Sequence, residues 1–359
     1  MIVKSLELCH FRNYDELKLD FEEGTNILYG SNAQGKTNIL EAIYLSGTTK
    51  SHRGSKDKDM IQFGFQESHI RIFTEKQEKK FQIDLHLKKN RTKGIAVNQI
   101  PIKKASELFG ILNIVLFSPE DLNIIKNGPF ERRRFMDLEL CQLDKIYLND
   151  LAKYNRVLNQ RNRLLKDIHF KPELRDTLFV WDMQLLEYGK RIIKRRREFV
   201  CQLNEIVTGI HEKISGGKEK IILAYDSNIQ EEQFEQELKR TQEKDLKAGL
   251  TTTGPHRDDL LFSIDDIDLR KFGSQGQQRT SALSLKLSEI ELVKKVTKEP
   301  PVLLLDDVLS ELDSSRQNHL LNSIKNIQTI ITCTGLDEFI RNCFQINRIF
   351  EVIDGKISK

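Results

Sequence analysis

Apolar and polar residues alternate over 17–21 and again over 81–87, the period-two pattern of strands with one buried and one wetted face. Residues 26–29 are a short apolar run entering Gly30, after which Ile39, Leu40 and Ile43 take up helical spacing. That switch predicts a strand, a glycine-rich turn and an amphipathic helix in succession. A second apolar run, 111–117, reads as a buried strand, so the first third of the chain is mostly strand.

The pattern changes at Ser118. Ser118-Pro119-Glu120-Asp121 combines a hydroxyl cap, a proline for the first turn and two acids that complement a helix dipole. From there to about residue 213 the period is helical. Leu178, Trp181, Leu185, Tyr188, Ile192, Phe199 and Leu203 recur in steps of three, four and seven, a narrow apolar seam on one long helix. Leu151, Tyr154, Leu158 and Leu165 mark a similar helix before it, and Lys171-Pro172 separates the two. An antiparallel helical hairpin projecting from the body is therefore predicted. Gly216-Gly217 ends it; 221–225 reads as a strand, 231–247 as a charged helix, and Leu283, Leu287 and Ile290 mark one face of a later helix. Pro300-Pro301 then precedes Val302-Leu303-Leu304-Leu305, the unbroken apolar run of a parallel strand buried on both faces. The expected organisation is an α/β head with a mixed sheet, made of residues 1–117 and 246–359 and interrupted by a helical arm at 118–245.

Composition narrows the class. The 359 residues suit about two domains of ~150 residues each. Hydrophobic residues at 38% suffice for a sizeable core, and 57 basic against 53 acidic residues leave a net charge of only +4. Cys9, Cys141, Cys201, Cys333 and Cys343 form no C-x-x-C pair and are odd in number, against a disulfide framework or a zinc site, and they read as small apolar fillers. Residues 1–14 carry charges where a signal peptide needs an apolar core, and no run approaches the ~20 apolar residues of a membrane span. A soluble cytoplasmic protein with no membrane association is expected.

Gly30-Ser31-Asn32-Ala33-Gln34-Gly35-Lys36-Thr37 fits G-x-x-x-x-G-K-[ST]. Glycines let the backbone curl so that successive N–H groups face phosphate oxygens. Lys36 then reaches the β- and γ-phosphates and the Thr37 hydroxyl holds Mg²⁺, so ATP and Mg²⁺ are the expected cofactors. A helix N-terminus directly after the loop favours the same anion. Asp306 and Asp307, at the end of the buried 302–305 strand, supply the complementary acids. Asp306 is placed for the metal and its water shell, Asp307 for orienting or deprotonating the attacking water, with Lys36 as its catalytic partner.

Gly273-Ser274-Gln275-Gly276-Gln277-Gln278-Arg279 opens the helix before that strand, and Ser310-Glu311-Leu312-Asp313 follows it. In order and spacing these resemble the signature motif and D-loop of ABC-type ATPases. The resemblance sharpens with Phe11-Arg12-Asn13-Tyr14, Leu40-Glu41-Ala42, the 117–122 and 128–137 segments, Thr253-Gly254-Pro255-His256-Arg257-Asp258 and 305–313: together they resemble the RecF family, DNA replication and repair proteins related to SMC-type ATPases. That resemblance implies an ABC/SMC-type P-loop ATPase head with a short helical arm, two heads sandwiching two ATP molecules in a homodimer on DNA, and cooperation with RecO and RecR in loading RecA at gaps. It also implies that Ser274, Gly276 and Gln277 serve ATP held by a second subunit, that Arg12 and Asn13 sit near the nucleotide, and that Asn32 approaches the γ-phosphate. Two features depart from the general ABC pattern. The second acid is Asp307, whose carboxylate reaches one methylene less far than that of a glutamate and predicts slow hydrolysis; and Thr332 or Thr334 stands where transporters carry a switch histidine. Glu120 is the positional candidate for the Q-loop.

Charge segregates. Residues 151–200 hold 13 Lys and Arg against 6 Asp and Glu, and residues 76–104 hold 9 against 2, leaving the remainder net negative by ten. Such segregation suits DNA backbone contacts, single- or double-stranded, without base reading. The candidates are Lys194, Arg195, Arg196 and Arg197 on the arm, Lys88, Lys89 and Arg91 on the head, and Arg53 near the P-loop; the competing reading of 194–197 is a solvated helix face. Arg132 to Arg134 are expected to brace the base of the arm, His256 and Arg257 to brace their loop, and Trp181 to lie in the seam. A DNA-stimulated ATPase switch is the expected function; a passive DNA scaffold with structural ATP and an ABC transporter subunit are the alternatives.

Overall fold

The computed structural model describes residues 1–335 and 346–358. Strands β1 (Ile2–Phe11), β2 (Tyr14–Asp20) and β3 (Thr25–Tyr29) lead into α1 (Lys36–Thr48). There follow β4 (Glu67–Lys76), β5 (Lys79–Lys88), β6 (Gly94–Val97), β7 (Ile100–Pro101) and β8 (Ile114–Phe117). Helices α2 (Leu122–Lys126), α3 (Pro129–Leu143), α4 (Lys145–Ile168) and α5 (Leu178–Ser215) make the middle of the chain. Then come β9 (Ile221–Asp226), α6 (Phe234–Arg240), α7 (Gln242–Ala248), β10 (Asp259–Ile264), β11 (Ile267–Asp268), α8 (Leu269–Phe272) and α9 (Gln275–Thr297). The chain closes with β12 (Val302–Asp306), α10 (Ser314–Ser323), β13 (Thr329–Cys333), β14 (Ile346–Ile353) and β15 (Lys356–Ser358).

Two compact units result, residues 1–121 with 283–359 and residues 122–282. The first holds two six-stranded sheets. One is antiparallel in the order β2-β1-β4-β5-β6-β7; the other runs β15-β14-β3-β13-β12-β8 and is parallel except at the β14–β15 hairpin. Leu6, Leu8, Ile70, Ile72, Ile83 and Leu85 of the antiparallel sheet share one core with Ile39, Leu40 and Ile43 of α1 and with Leu28, Leu304 and Ile330 of the parallel sheet. Helix α1 packs between the two sheets and is buried nearly all round, not only on the expected apolar stripe. Two of its buried hydroxyls are satisfied within the helix, Ser46 and Thr48 donating to the carbonyls of Ala42 and Tyr44. Gly47 allows the close approach, since a Cβ there would stand 2.7 Å from the Ile114 side chain.

The second unit is built on the α4–α5 hairpin. Partners run in opposite directions along it, Asp144 with Arg195, Tyr147 with Arg196, Asp150 with Arg191 and Arg161 with Asp182. Leu178, Leu185, Ile192, Phe199 and Leu203 are buried as the seam predicts, while Trp181 and Tyr188 are half-buried. The steps of seven between Leu158 and Leu165, and between Ile192 and Phe199, each hide a seam position, and arginine occupies both. Arg161 and Arg196 are buried, at 0% and 2% exposure. Arg161 pairs with Asp182 and Asp245 and donates to Thr251; Arg196 pairs with Asp137 and Asp258 and donates to the Pro255 carbonyl.

These ion pairs move the expected division at 245. Asp258 and Asp259, bound by Arg196 and Arg132, tie the β9-β10-β11 sheet to α5 and α3, so the compact unit extends to Ala282. The expected 231–247 helix is two, α6 and α7, broken at Thr241, whose hydroxyl donates to the carbonyl of Glu237. At Ser118 the cap is supplied by Asp121, whose carboxylate accepts the Ser118 N–H at 2.7 Å. Among the cysteines, Cys141 and Cys333 are buried fillers and Cys9 is half-buried, but Cys201 is exposed on α5; Cys343 lies outside the described residues.

Candidate nucleotide site

Parallel pairing sets the site. The loop 30–35 follows β3, the acids Asp306 and Asp307 end or follow β12, and β13 lies between those strands. All three carboxyl ends therefore open on one edge of the sheet, where ligands of open α/β sheets bind. The loop curls as its motif requires, with Gly30, Ala33 and Gly35 at φ 150°, 65° and 110°. Gly35 has no alternative: a Cβ there would stand 2.6 Å from the Asn13 amide and 2.8 Å from the Tyr14 hydroxyl.

Lys36 is buried and folds back over the loop, its ammonium donating to the carbonyls of Gly30 at 2.6 Å and Ser31 at 2.9 Å. Ser31, Asn32 and Ala33 are exposed along the rim, and Gln34 is half-buried. The Gln34 side chain accepts the Asp354 N–H of the β14–β15 turn, and its carbonyl accepts from Asn13 at 3.0 Å. Thr37 donates its hydroxyl to Asp306 Oδ1 at 2.8 Å, and Thr332 donates to the same oxygen at 2.8 Å. Thr332 also accepts the Asp307 N–H at 3.0 Å, which fixes the turn where Asp307 takes φ 52°. Burial pushes the Asp306 carboxyl up, only partly offset by the Thr37 and Thr332 hydroxyls. A hydroxyl and a buried carboxylate converging on one point form an oxygen donor set that suits Mg²⁺, so Thr37 and Asp306 fit the ion. Thr332, rather than Thr334 in the bend beyond β13, is the residue of the pair that reaches the acids. Glu120 is exposed in a short 3₁₀ turn.

Arg12 lies in the β1–β2 turn at φ 56° and grips Glu41 of α1 with Nε and Nη2, both at 2.8 Å. Burial alone would raise the Glu41 carboxyl, but Arg12 and Ser51 hold it below its ordinary value. No role for Glu41 follows from the sequence alone; the available signal is an acid among the apolar positions of α1. Asn13, Asn38 and Arg53 continue as a hydrogen-bonded chain beside the loop, Asn38 donating to Asn13 at 2.8 Å and Arg53 to Asn38 at 3.2 Å.

Ser274, Gly276 and Gln277 belong to the other compact unit, at the start of α9. Ser274 Oγ accepts the Gln277 N–H at 3.1 Å and Gln277 Oε1 accepts the Ser274 N–H at 2.9 Å, a reciprocal capping box. Ser274 and Gly276 are exposed at the positive pole of this helix.

The basic candidates divide. Arg196 does not face solvent as a DNA contact would: four donor contacts enclose its guanidinium among Asp137, Tyr147, Pro255 and Asp258, and it is not available to DNA. Arg195 and Arg197 engage Asp144 with Glu198, and Glu231 with Gln230, respectively. Lys194, Arg91 and Arg53 are exposed and Lys88 and Lys89 half-buried, with Lys88 Nζ 3.5 Å from Glu67. Arg132 bridges Asp259 and Arg133 donates to the Asp258 carbonyl, the bracing expected of them. His256 braces its loop between the Tyr154 hydroxyl and the Thr251 carbonyl, and burial lowers its pKa to about 4. No helix among the described residues is long and apolar enough to cross a membrane.

A glycine-rich loop after one parallel strand, an acid pair after another and a helical insertion between them define an ABC/SMC-type ATPase head. The RecF/RecN/SMC N terminal domain model matches residues 2–358. The DNA replication and repair protein RecF of Agathobacter rectalis is 68% identical over 357 residues, covering 99% of each chain. A solved structure of the recombination mediator protein RecF with ATP in the RecFOR pathway superposes with TM-score 0.93 at 38% identity, covering 99% of this chain and 97% of that one. The Smc head domain of Pyrococcus furiosus, at 18% identity and TM-score 0.57 over 99% of this chain and 95% of that one, shares the fold. The chain belongs to the RecF family.

Proposed function

We propose that this chain is a slow, DNA-stimulated ATPase switch of recombinational repair, which dimerises on DNA around two ATP molecules and, with RecO and RecR, helps load RecA at gaps. The observation that carries the ATPase reading is the meeting of Thr37, Asp306 and Asp307 through Thr332 at one sheet edge beside the P-loop. Lys36 exchanges its two carbonyl acceptors for β- and γ-phosphate oxygens when ATP binds. Thr37 and Asp306 would hold Mg²⁺, which when bound would neutralise charge on the phosphates. Asp307, turned by its positive φ away from the strand direction, orients or deprotonates the attacking water. The exposed start of α9 suits the γ-phosphate held by a second copy of the chain, with Ser274 and Gly276 as its contacts. Exposed Lys194, Arg91 and Arg53 are the remaining candidates for DNA phosphates.

The test is ATP turnover with and without double-stranded DNA in wild type, Asp307→Asn and Asp306→Asn. Loss of a general base costs ~10²–10⁴-fold in rate, so Asp307→Asn should bind Mg-ATP, turn over slowly and persist as a DNA-bound dimer. Asp306→Asn should fail earlier, at productive nucleotide binding. Wild-type turnover in Asp307→Asn would place the base elsewhere. Slowed turnover with no gain in dimer lifetime would favour a passive scaffold.

A further inference from the structure

The open face of the β2-β1-β4-β5-β6-β7 sheet carries a row of metal-ligand side chains well apart in sequence from the nucleotide loop. Cys9 of β1 lies opposite His69 of β4, and His69 opposite His86 of β5. Directly opposed residues of an antiparallel pair share a face, and Glu67, two positions before His69, shares it too. One ligand atom from each of Glu67, His69 and His86 lies within 4.8 Å of the others. The two imidazoles stack with centroids 3.9 Å apart, and His86 Nε2 is 2.6 Å from Glu67 Oε2. Lys88 stands 3.5 Å from the other carboxylate oxygen, Oε1, which leaves Oε2 directed at the histidines. A cavity of about 470 Å³, lined in part by Cys9, Arg71, His69 and His86, opens beside them.

Two imidazoles and one carboxylate are an established donor set for zinc. Bonds of ~2.0–2.2 Å in tetrahedral geometry place ligand atoms roughly 3.3–3.5 Å apart. The 2.6 Å His86–Glu67 pair therefore opens slightly and the wider separations close, movements within the reach of side chains on a sheet surface. All three residues are exposed or half-buried, so their rotamers are not locked by the core. We propose that Glu67, His69 and His86 form a binding site for a divalent transition-metal ion of the zinc class, with its fourth position open to the cavity. Such an ion would staple β4 to β5 through side chains that do not enter the ATP site.

Metal-free full-length protein without nucleotide, titrated with Zn²⁺ against a chromophoric chelator, tests this. Wild type should take up one Zn²⁺ per chain. His69→Thr and His86→Thr, which keep strand propensity, should each weaken binding by at least the ~10-fold that even an outer-sphere partner is worth. Asp306→Asn and Cys9→Ser should leave it unchanged, and circular dichroism with ATP binding should report both threonine variants folded. Failure of wild type to bind, or retention of wild-type affinity in both threonine variants, would overturn the assignment. Co²⁺ provides a readout free of mutation: tetrahedral visible bands on loading wild type support the site, and a spectrum like that of aqueous Co²⁺ refutes it.

Discussion

Replacing Arg196 by methionine separates the architectural role of this residue from a DNA-binding one. The guanidinium donates to Asp258 at 2.9 Å, Asp137 at 2.8 Å, the Pro255 carbonyl at 2.6 Å and the Tyr147 hydroxyl at 3.0 Å. Methionine fills most of the volume but leaves the fully enclosed Asp258 carboxylate, already pushed up by burial, without its cation. Removing one partner of a buried ion pair costs about 3–5 kcal/mol, a large part of the ~5–15 kcal/mol by which a typical domain is stable. Urea unfolding followed by circular dichroism should therefore show a shifted midpoint for Arg196→Met. Arg197→Ala, which breaks a surface pair with Glu231, should lose no more than about 1 kcal/mol. Adding Asp258→Asn to Arg196→Met should recover part of the loss, because residues in one network couple. A destabilisation below about 1 kcal/mol for Arg196→Met would refute the buried-network reasoning. So would a full-stability variant whose only defect was a shallower salt dependence of DNA binding.

Thr332→Val should raise the Mg²⁺ concentration needed for half-maximal ATP turnover by about 10–100-fold, the usual worth of a group that orients a metal ligand; Thr332→Ser should restore it, and an unchanged Mg²⁺ requirement would remove Thr332 from the site. His256 stays neutral in the fold down to about pH 4 against an ordinary value of 6.5. The unfolded chain takes up the proton first, so this group's stabilisation, complete above pH 6.5, is lost as pH falls toward 4, by about 3 kcal/mol at most; the acid limb of stability should be shallower in His256→Gln, measured by urea midpoints across that range.

Much of this molecule is legible in local pattern. The P-loop, the strand into it, the Asp306–Asp307 pair and the glycine-rich opening of the helix at Ser274 all depend on residues within a few positions of one another, because phosphate cradles, buried parallel strands and helix starts are local solutions of backbone chemistry. The helical hairpin is legible for the same reason: its seam is a period along one helix. What tertiary structure decided is which side chains meet across distant segments. Thr332 touches Asp306 and Asp307 only because β13 is laid between β3 and β12, an order that no spacing along the chain reveals. Arg12 finds Glu41, and His69 finds His86, by packing and by strand register. Arg196 makes the distinction sharpest. Within Arg195-Arg196-Arg197 it looks like one charge among three, yet helical phase turns it alone into the seam, where Asp137 and Asp258 arrive from other elements to meet it. Composition counts a charge wherever it lies; only the assembled fold determines whether that charge faces water or a buried carboxylate, since its free energy depends on the dielectric and the partners around it.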